Sequence, residues 1–125
     1  MARVLIVDDQ AATVELLSAT LRILGHEPIS AYNGEQALDL IAVHNPDIIL
    51  LDMMMPGITG LETLRRLRTT PGLGQIPVIV VSAGQEFDLK DRLQEAGGAV
   101  LLPKPTSMDQ LQQKIDECLN HESNG

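Results

Sequence analysis

The stretch DIILLDMMMPG, residues 47–57, joins a run of apolar side chains to a carboxylate and then to a loop. Residues 48–51 are apolar at every position rather than at alternate ones, the pattern of a β-strand that is covered on both faces. Asp52 follows directly where this run stops. We therefore expect a rigidly held and accessible carboxylate at the end of a central strand.

Four other short segments predict strands, and amphipathic segments separate them. The predicted strands span residues 3–7, 27–31, 47–51, 77–81 and 99–102. Helices are predicted over 10–24, from 33 to just before Pro46, from 59 through 67, over 86–96 and from 107 through 119. Pro28 lacks an N–H for a strand ladder, which places the second strand at a sheet edge. This alternation predicts an α/β fold, with a parallel sheet between two layers of helices.

Three helix starts carry the signature of a capping box, in which a polar residue precedes Glu or Gln by three positions. The pairs are Asn33 with Gln36, Thr59 with Glu62, and Ser107 with Gln110. Each pair is expected to satisfy backbone N–H groups that the first helical turn leaves without partners.

Composition narrows the class of protein. The length of 125 residues predicts one domain, which we place at residues 1–120, followed by a loose polar tail over 121–125. A formal net charge of −8 and only two aromatic residues, Tyr32 and Phe87, disfavour direct nucleic-acid binding. A single cysteine, Cys118, and apolar runs of only four or five residues predict a soluble cytoplasmic protein that does not enter the membrane.

Polar residues follow four of the predicted strands. These residues are Asp8, Asp9, Asp52, Ser82 and Lys104. In a doubly wound parallel sheet, functional groups gather at the carboxyl ends of the strands, so these side chains are expected to share one edge.

Three carboxylates at one edge repel one another and require a cation. Mg²⁺ prefers oxygen ligands and commonly combines one or two carboxylates with a substrate phosphate. Asp52 could itself accept a phosphoryl group, Lys104 could neutralise phosphoryl oxygens, and the Ser82 hydroxyl could donate to them. The pattern therefore predicts magnesium-assisted phosphoryl transfer.

Each of these residues has a simpler explanation when it is taken alone. Asp8 and Asp9 could cap the following helix, Asp52 could belong to a turn, Ser82 could be a loop hydroxyl, and Lys104 could be a solvated charge. Taken together they favour a site, because four strand ends each supply a residue type that one reaction needs. The arginine cluster is interpreted as a solvated helix face, formed by Arg65, Arg66 and Arg68. The histidines lack metal-ligand spacing, so no role is predicted for His26, His44 and His121.

Four short motifs resemble the signatures of one family in the same order along the chain. They are VLIVDD at 4–9, LDMMMPG at 51–57, SA at 82–83 and LPKP at 102–105. With them, the chain resembles the receiver domain of two-component response regulators, in particular the stand-alone, chemotaxis-regulator-like members. The resemblance implies a flavodoxin-like, doubly wound, five-stranded parallel sheet of order 2-1-3-4-5 with five helices.

The resemblance also implies roles for individual residues. Asp52 would be the phosphoacceptor, and Asp9, Asp52 and the Met54 carbonyl would bind Mg²⁺ directly, with Asp8 acting through a water. Lys104 would contact the phosphoryl group. Ser82 and the backbone amide of Ala83 would bind phosphoryl oxygens, and Pro105 would follow a cis peptide.

Three positions depart from the family pattern. Leu101 stands where the family usually has the Tyr or Phe whose ring moves inward on activation, so the aromatic part of the usual switch is missing. Met54 and Gly84 flank the path of the water that would attack the phosphorylated aspartate. Neither side chain can orient water, which predicts slow self-dephosphorylation.

The resulting hypothesis is a signalling switch rather than a general enzyme. A histidine kinase or a histidine phosphotransfer protein would donate the phosphoryl group, and a downstream protein or a second copy would bind the changed surface. No output domain is expected, since none follows Gly125. The main alternative is a pseudo-receiver that binds partners without phosphate chemistry. A haloacid-dehalogenase-like phosphatase would need a second acid at Met54, and in a flavodoxin Asp8 and Asp9 would repel the flavin phosphate.

Overall fold

The computed structural model describes residues 1–82, 89–104 and 107–123, with side chains described through Asn120. Strands and helices alternate along the chain, as the sequence predicts. The strands are β1 Arg3–Val7, β2 Glu27–Ala31, β3 Ile48–Asp52, β4 Val78–Ser82 and β5 Val100–Pro103. The helices are α1 Ala11–Ile23, α2 Gly34–His44, α3 Gly60–Thr69, α4 Leu89–Glu95 and α5 Met108–Ser123.

All five strands pair in parallel, in the order β2-β1-β3-β4-β5. This confirms the predicted sheet order, and β2 with Pro28 lies at an edge as expected. Successive residues of β3 face opposite sides of the sheet. Ile49 and Leu51 pack with residues of α2, α3 and α4, whereas Ile48 and Leu50 pack with α1 and α5. A strand buried on both faces needs an unbroken apolar run, which is the pattern observed in the sequence.

All three predicted capping residues accept a hydrogen bond from the first turn of their helix, and Ser107 with Gln110 forms the full reciprocal capping box. Asn33 accepts a hydrogen bond from the Gln36 N–H, and the Gln36 side chain accepts from the N–H of Tyr32. Thr59 accepts from the Glu62 N–H at 3.1 Å. Ser107 and Gln110 exchange hydrogen bonds in both directions. These contacts fix where α2, α3 and α5 begin and thus how the preceding loops leave the sheet.

Element boundaries differ slightly from those predicted. β3 begins at Ile48 rather than Asp47 and includes Asp52 as its last residue. α5 continues to Ser123, so the chain is helical over three residues of the segment predicted as a loose tail. Among the helices in the described part of the chain, none has both the length and the apolar content needed to cross a bilayer.

Candidate functional site

The acidic residues at the ends of β1 and β3 meet at one edge of the sheet. One carboxylate oxygen from each of Asp8, Asp9 and Asp52 lies within 4.8 Å of the other two. The register explains this, because Val7 pairs with Leu51 and an aspartate follows each of them. The structure thus brings Asp52 to Asp8 and Asp9, which lie far from it in the sequence.

The three carboxylates differ in depth. Asp8 is 4% exposed, Asp52 is half-buried and Asp9 is exposed. Oδ1 of Asp8 accepts a hydrogen bond from the Gln10 N–H at 2.9 Å, which holds the turn from β1 into α1. The N-cap of α1 is Gln10, whose side chain makes no capping hydrogen bond. The turn into α1 therefore accounts for one hydrogen bond of Asp8, and it does not explain why the three acids meet.

Lys104 provides a cation at the same edge. Its Nζ lies 4.0 Å from Oδ1 of Asp52, and the two side chains are 33% and 14% exposed, respectively. The main-chain N–H of Lys104 donates to the Ser82 carbonyl at 2.7 Å, which ties the residue to the end of β4. The lysine is therefore positioned by the sheet and is not a freely solvated surface charge.

Ser82 is the last residue of β4 and is 7% exposed. It pairs in register with Pro103, the residue before Lys104. Met54 is 74% exposed, and its backbone N–H lowers the pKa of the Asp52 carboxyl. The roles predicted for the Ser82 hydroxyl and the Met54 carbonyl stay predictions. So do those that fall outside the described residues: the Ala83 amide, the water path at Gly84 and the cis peptide before Pro105.

The electrostatics of this edge disfavour an ionised Asp52 in the absence of a ligand. Burial and then the negative charge of Asp8 raise the pKa of the Asp52 carboxyl above its ordinary value, and Asp9 adds to this effect. Lys104 and the Met54 N–H act in the opposite direction and do not offset the increase. A bound cation between the acids would remove this penalty.

A small void lies beneath the acids, toward the core. It measures about 10 Å³, comparable to the space that one water molecule requires. Apolar side chains such as Leu17, Leu50 and Val81 line it beside Asp8, Asp52 and Lys104.

Gly60, which no sequence pattern assigned to the site, lies against the backbone of Asp52. A Cβ at this position would stand 2.4 Å from the Asp52 carbonyl oxygen and 2.8 Å from the Met53 Cα. Only glycine allows the first turn of α3 to pack so closely on the end of β3. The available signal was a glycine at the first position of a helix, where it lowers helix stability and so suggests a packing reason.

The arginine cluster is not a uniformly solvated face, so that prediction is wrong for Arg68. Arg65 and Arg66 are half-exposed and pair with Glu62 at 2.9 and 3.0 Å. The Arg68 guanidinium is half-buried and donates to three backbone carbonyls, those of Gly74, Ile76 and Gly98. Desolvation by burial lowers the pKa of the Arg68 guanidinium below its ordinary value. Arg68 therefore joins the end of α3 to two turns and serves the fold.

Comparison with known proteins gives consistent results. A family model described as the response regulator receiver domain matches residues 4–116. The chain is 34% identical over 122 residues to sporulation initiation phosphotransferase F of Bacillus subtilis, a match covering 98% of this chain and 97% of that protein. It is 36% identical over 122 residues to the phosphate regulon transcriptional regulatory protein PhoB of Pseudomonas aeruginosa, covering 98% of this chain and 53% of PhoB.

The structural comparison agrees with the sequence comparison. The fold matches chemotaxis protein CheY4 of Vibrio cholerae with a TM-score of 0.90 and 28% sequence identity. The match covers 95% of this chain and 99% of that one. The chain thus corresponds to nearly all of two of these proteins and to about half of PhoB.

Proposed function

Because the chain belongs to the response regulator receiver domain family, we propose that it is a signalling switch in which Asp52 accepts a phosphoryl group with the help of Mg²⁺. Family membership shows that the chain is a receiver domain with a signalling role. The choice of Asp52, of the metal and of the partners is the part that we propose.

One observation carries the proposal: three carboxylates and one lysine converge at the carboxyl edge of the sheet. Oxygens of Asp8, Asp9 and Asp52 lie within 4.8 Å of one another. Ligands of one Mg²⁺ at about 2.1 Å are separated by roughly 3.0–4.2 Å, so a small adjustment lets these acids share an ion. The donor set fits, since hard oxygen ligands are those that Mg²⁺ prefers. Asp9, Asp52 and the Met54 carbonyl would bind the ion directly, and Asp8 through a water.

The phosphoryl transfer itself uses the residues of this chain. A carboxylate oxygen of Asp52 attacks phosphorus, the P–N bond of a phosphohistidine breaks, and the imidazole leaves with the electron pair. Bound Mg²⁺ would supply positive charge to the phosphoryl oxygens. Lys104, 4.0 Å from Asp52, neutralises further oxygen charge, and Ser82 with the Ala83 amide donates hydrogen bonds.

The partners follow from this chemistry. The donor is a histidine kinase or a histidine phosphotransfer protein, and the name phosphotransferase F shows that a relative of nearly the same length acts in phosphoryl transfer. The output is a changed protein surface, bound by a downstream protein or by a second copy, in the cytoplasm. The net charge of −8 is consistent with a protein partner rather than direct nucleic-acid contact.

Intact-mass measurement tests this function. We expect incubation with Mg²⁺ and a small phosphodonor such as acetyl phosphate to add one phosphoryl group, and EDTA to prevent the addition. Asp52→Asn should not be modified, whereas Asp47→Asn, at the other end of β3, should be modified as the parent is. A parent that stays unmodified would instead favour the pseudo-receiver, a binding module that works without phosphate.

The lifetime of the phosphorylated form gives a second test. Met54 is exposed two residues after Asp52, and its thioether cannot orient an attacking water. We expect slow self-dephosphorylation in the parent and a shorter phosphate lifetime in Met54→Asn, measured as the decay of the added mass after the donor is removed. Equal lifetimes would remove this part of the proposal.

A further inference from the structure

The outer face of α1 is apolar although it faces away from the core. Leu16 is 68% exposed and Ile23 is 71% exposed, and the neighbouring Ala12 and Ala19 are exposed as well. At 100° per residue these four positions lie within an arc of about 60°. The residues of α1 that enter the core lie on the opposite side, at Val14, Ser18 and Leu21. The four exposed residues form a continuous stripe, called here the α1 stripe.

The spacing of the α1 stripe is that of a helix-pairing seam. Intervals of four, three and four residues are those between successive a and d positions of a coiled coil. Along the stripe, small and large side chains alternate, in the order Ala12, Leu16, Ala19 and Ile23. Such a surface packs closely against one in which large and small positions are reversed.

The α1 stripe provides that reversed pattern to a second copy of itself. A two-fold axis between positions 17 and 18, with the two helices antiparallel, sets Ala12 opposite Ile23 of the second copy. The same axis sets Leu16 opposite Ala19 of the second copy. Each bulky side chain then faces an alanine, and the same contacts occur twice, as an isologous interface requires.

The charges beside the α1 stripe fit the same arrangement. Glu15 and Arg22 lie on one flank of the stripe, both are exposed, and neither forms an ion pair within the described part of the chain. In an antiparallel two-fold pair, this flank meets the same flank of the second helix. Glu15 therefore comes near Arg22 of the second copy, once on each side of the axis. The opposite flank carries Thr13 and Thr20, which are uncharged.

We propose that the α1 stripe is a self-association surface that pairs two copies of this chain through antiparallel α1 helices. A helix of 13 residues is about 20 Å long, which limits the contact to the size class of weak and transient interfaces. The dimer is therefore concentration-dependent. The α1 stripe contains neither the three carboxylates nor the lysine of the carboxyl edge.

Sedimentation velocity across roughly 1 μM to 1 mM chain tests the pairing. We expect the weight-average mass to rise with concentration in the parent. Leu16→Glu and Ile23→Glu should each raise the dissociation constant at least about tenfold, because each buries a charge in place of an apolar side chain at two equivalent positions. The matched control is Val43→Glu on α2, where the valine is 74% exposed. It should associate as the parent does.

Charge reversal gives a test that does not depend on apolar burial. Glu15→Arg places two like charges on the shared flank and should weaken association. Adding Arg22→Glu should restore it, since the pair is then reversed rather than removed. Failure of the double variant to recover would contradict the antiparallel arrangement.

Cross-linking determines the orientation. In a Cys118→Ser background, a mixture of Leu16→Cys and Ala19→Cys chains should form mixed disulfide dimers faster than either chain alone. Preferential dimers of Leu16→Cys with itself would contradict the antiparallel arrangement. A parent that stays monomeric over the whole range, or a Val43→Glu variant that loses association as Leu16→Glu does, would overturn the proposal.

Discussion

The carboxyl and amino ends of the strands form two edges of the sheet, and these differ in how their charged side chains are paired. At the carboxyl edge, Asp8, Asp9 and Asp52 crowd together with Lys104 4.0 Å from Asp52. At the amino edge, Arg68 donates to three backbone carbonyls. At the carboxyl edge three acids lie beside one lysine, whereas at the amino edge the half-buried guanidinium is paired with backbone carbonyls. The difference separates the residues that we propose to act from residues that hold the fold.

His26 and Asp47 also lie at the amino edge, and their polar atoms form hydrogen bonds within the protein. Nδ1 of His26 accepts a hydrogen bond from the Ala2 N–H, so Nε2 carries the hydrogen and donates to the Gln112 side chain at 2.9 Å. Asp47 accepts from the N–H of Arg3 at 2.8 Å. These contacts tie the start of β1 to β3 and α5. They give His26 a structural role, which its position in the sequence did not predict.

The largest effect on stability is expected at Arg68. Arg68→Met leaves the carbonyls of Gly74, Ile76 and Gly98 without their donors, which should lower the free energy of unfolding by about 2–3 kcal/mol. The matched control on the same helix is Arg65→Met, which should change it by less than about 0.5 kcal/mol. Urea unfolding measures both. If the two edges are independent, folded Arg68→Met still gains the phosphoryl mass, and loss of that mass would break the comparison.

Gly60 tests whether the backbone beneath the acids matters for the reaction. The Cβ of Gly60→Ala would press on the Asp52 carbonyl, so we expect a loss of about 1–3 kcal/mol in unfolding free energy and slower phosphorylation. Thr59→Ala removes the neighbouring helix cap and costs about 1 kcal/mol without pressing on Asp52. Phosphorylation rates measured by intact mass should fall only in Gly60→Ala. Equal rates in the two variants would show that the close packing serves stability alone.

The smallest effect is expected at Glu62, an acid far better paired than those of the carboxyl edge. Hydrogen bonds from Arg66 and then Arg65 lower the pKa of Glu62 below 4.5. Because the folded pKa is the lower one, these pairs stabilise the fold above the unfolded pKa, and the contribution is lost as the pH falls through the folded pKa. The unfolding free energy of Glu62→Gln should therefore lie slightly below that of the parent at pH 7. Measured by urea unfolding, this gap should narrow below about pH 4.5, and a constant gap would contradict the assignment.

Local sequence patterns predicted most of the elements, because each rests on short-range physics. Apolar runs such as 48–51 need cover on both faces, and caps such as Asn33 with Gln36 involve residues three apart. The meeting of the three acids was predicted from one general rule, that the carboxyl ends of parallel strands lie at a common edge of the sheet. The strand order came from family resemblance, since nothing local in the sequence determines which strands are neighbours.

The missed features depend on contacts between distant residues. Arg68 is satisfied by carbonyls at positions 74, 76 and 98, and no helical pattern around position 68 indicates them. Gly60 is required by the path of the Asp52 backbone. The α1 stripe was not predicted because the sequence does not show which apolar residues of a helix enter the core. In the structure Leu21 is buried and Leu16 is exposed.

The central claim is that the carboxyl edge carries an excess of negative charge which a divalent cation relieves. Urea unfolding of the parent and Asp52→Asn, each at pH 7 with EDTA and with Mg²⁺, tests it most directly. Without the metal, we expect Asp52→Asn to be more stable by about 1 kcal/mol, because one of three repelling charges is gone. With Mg²⁺ at 100 times its dissociation constant, the parent should gain about 2.7 kcal/mol and the variant much less. A parent that Mg²⁺ leaves unchanged, or a variant less stable than the parent in EDTA, would contradict the account.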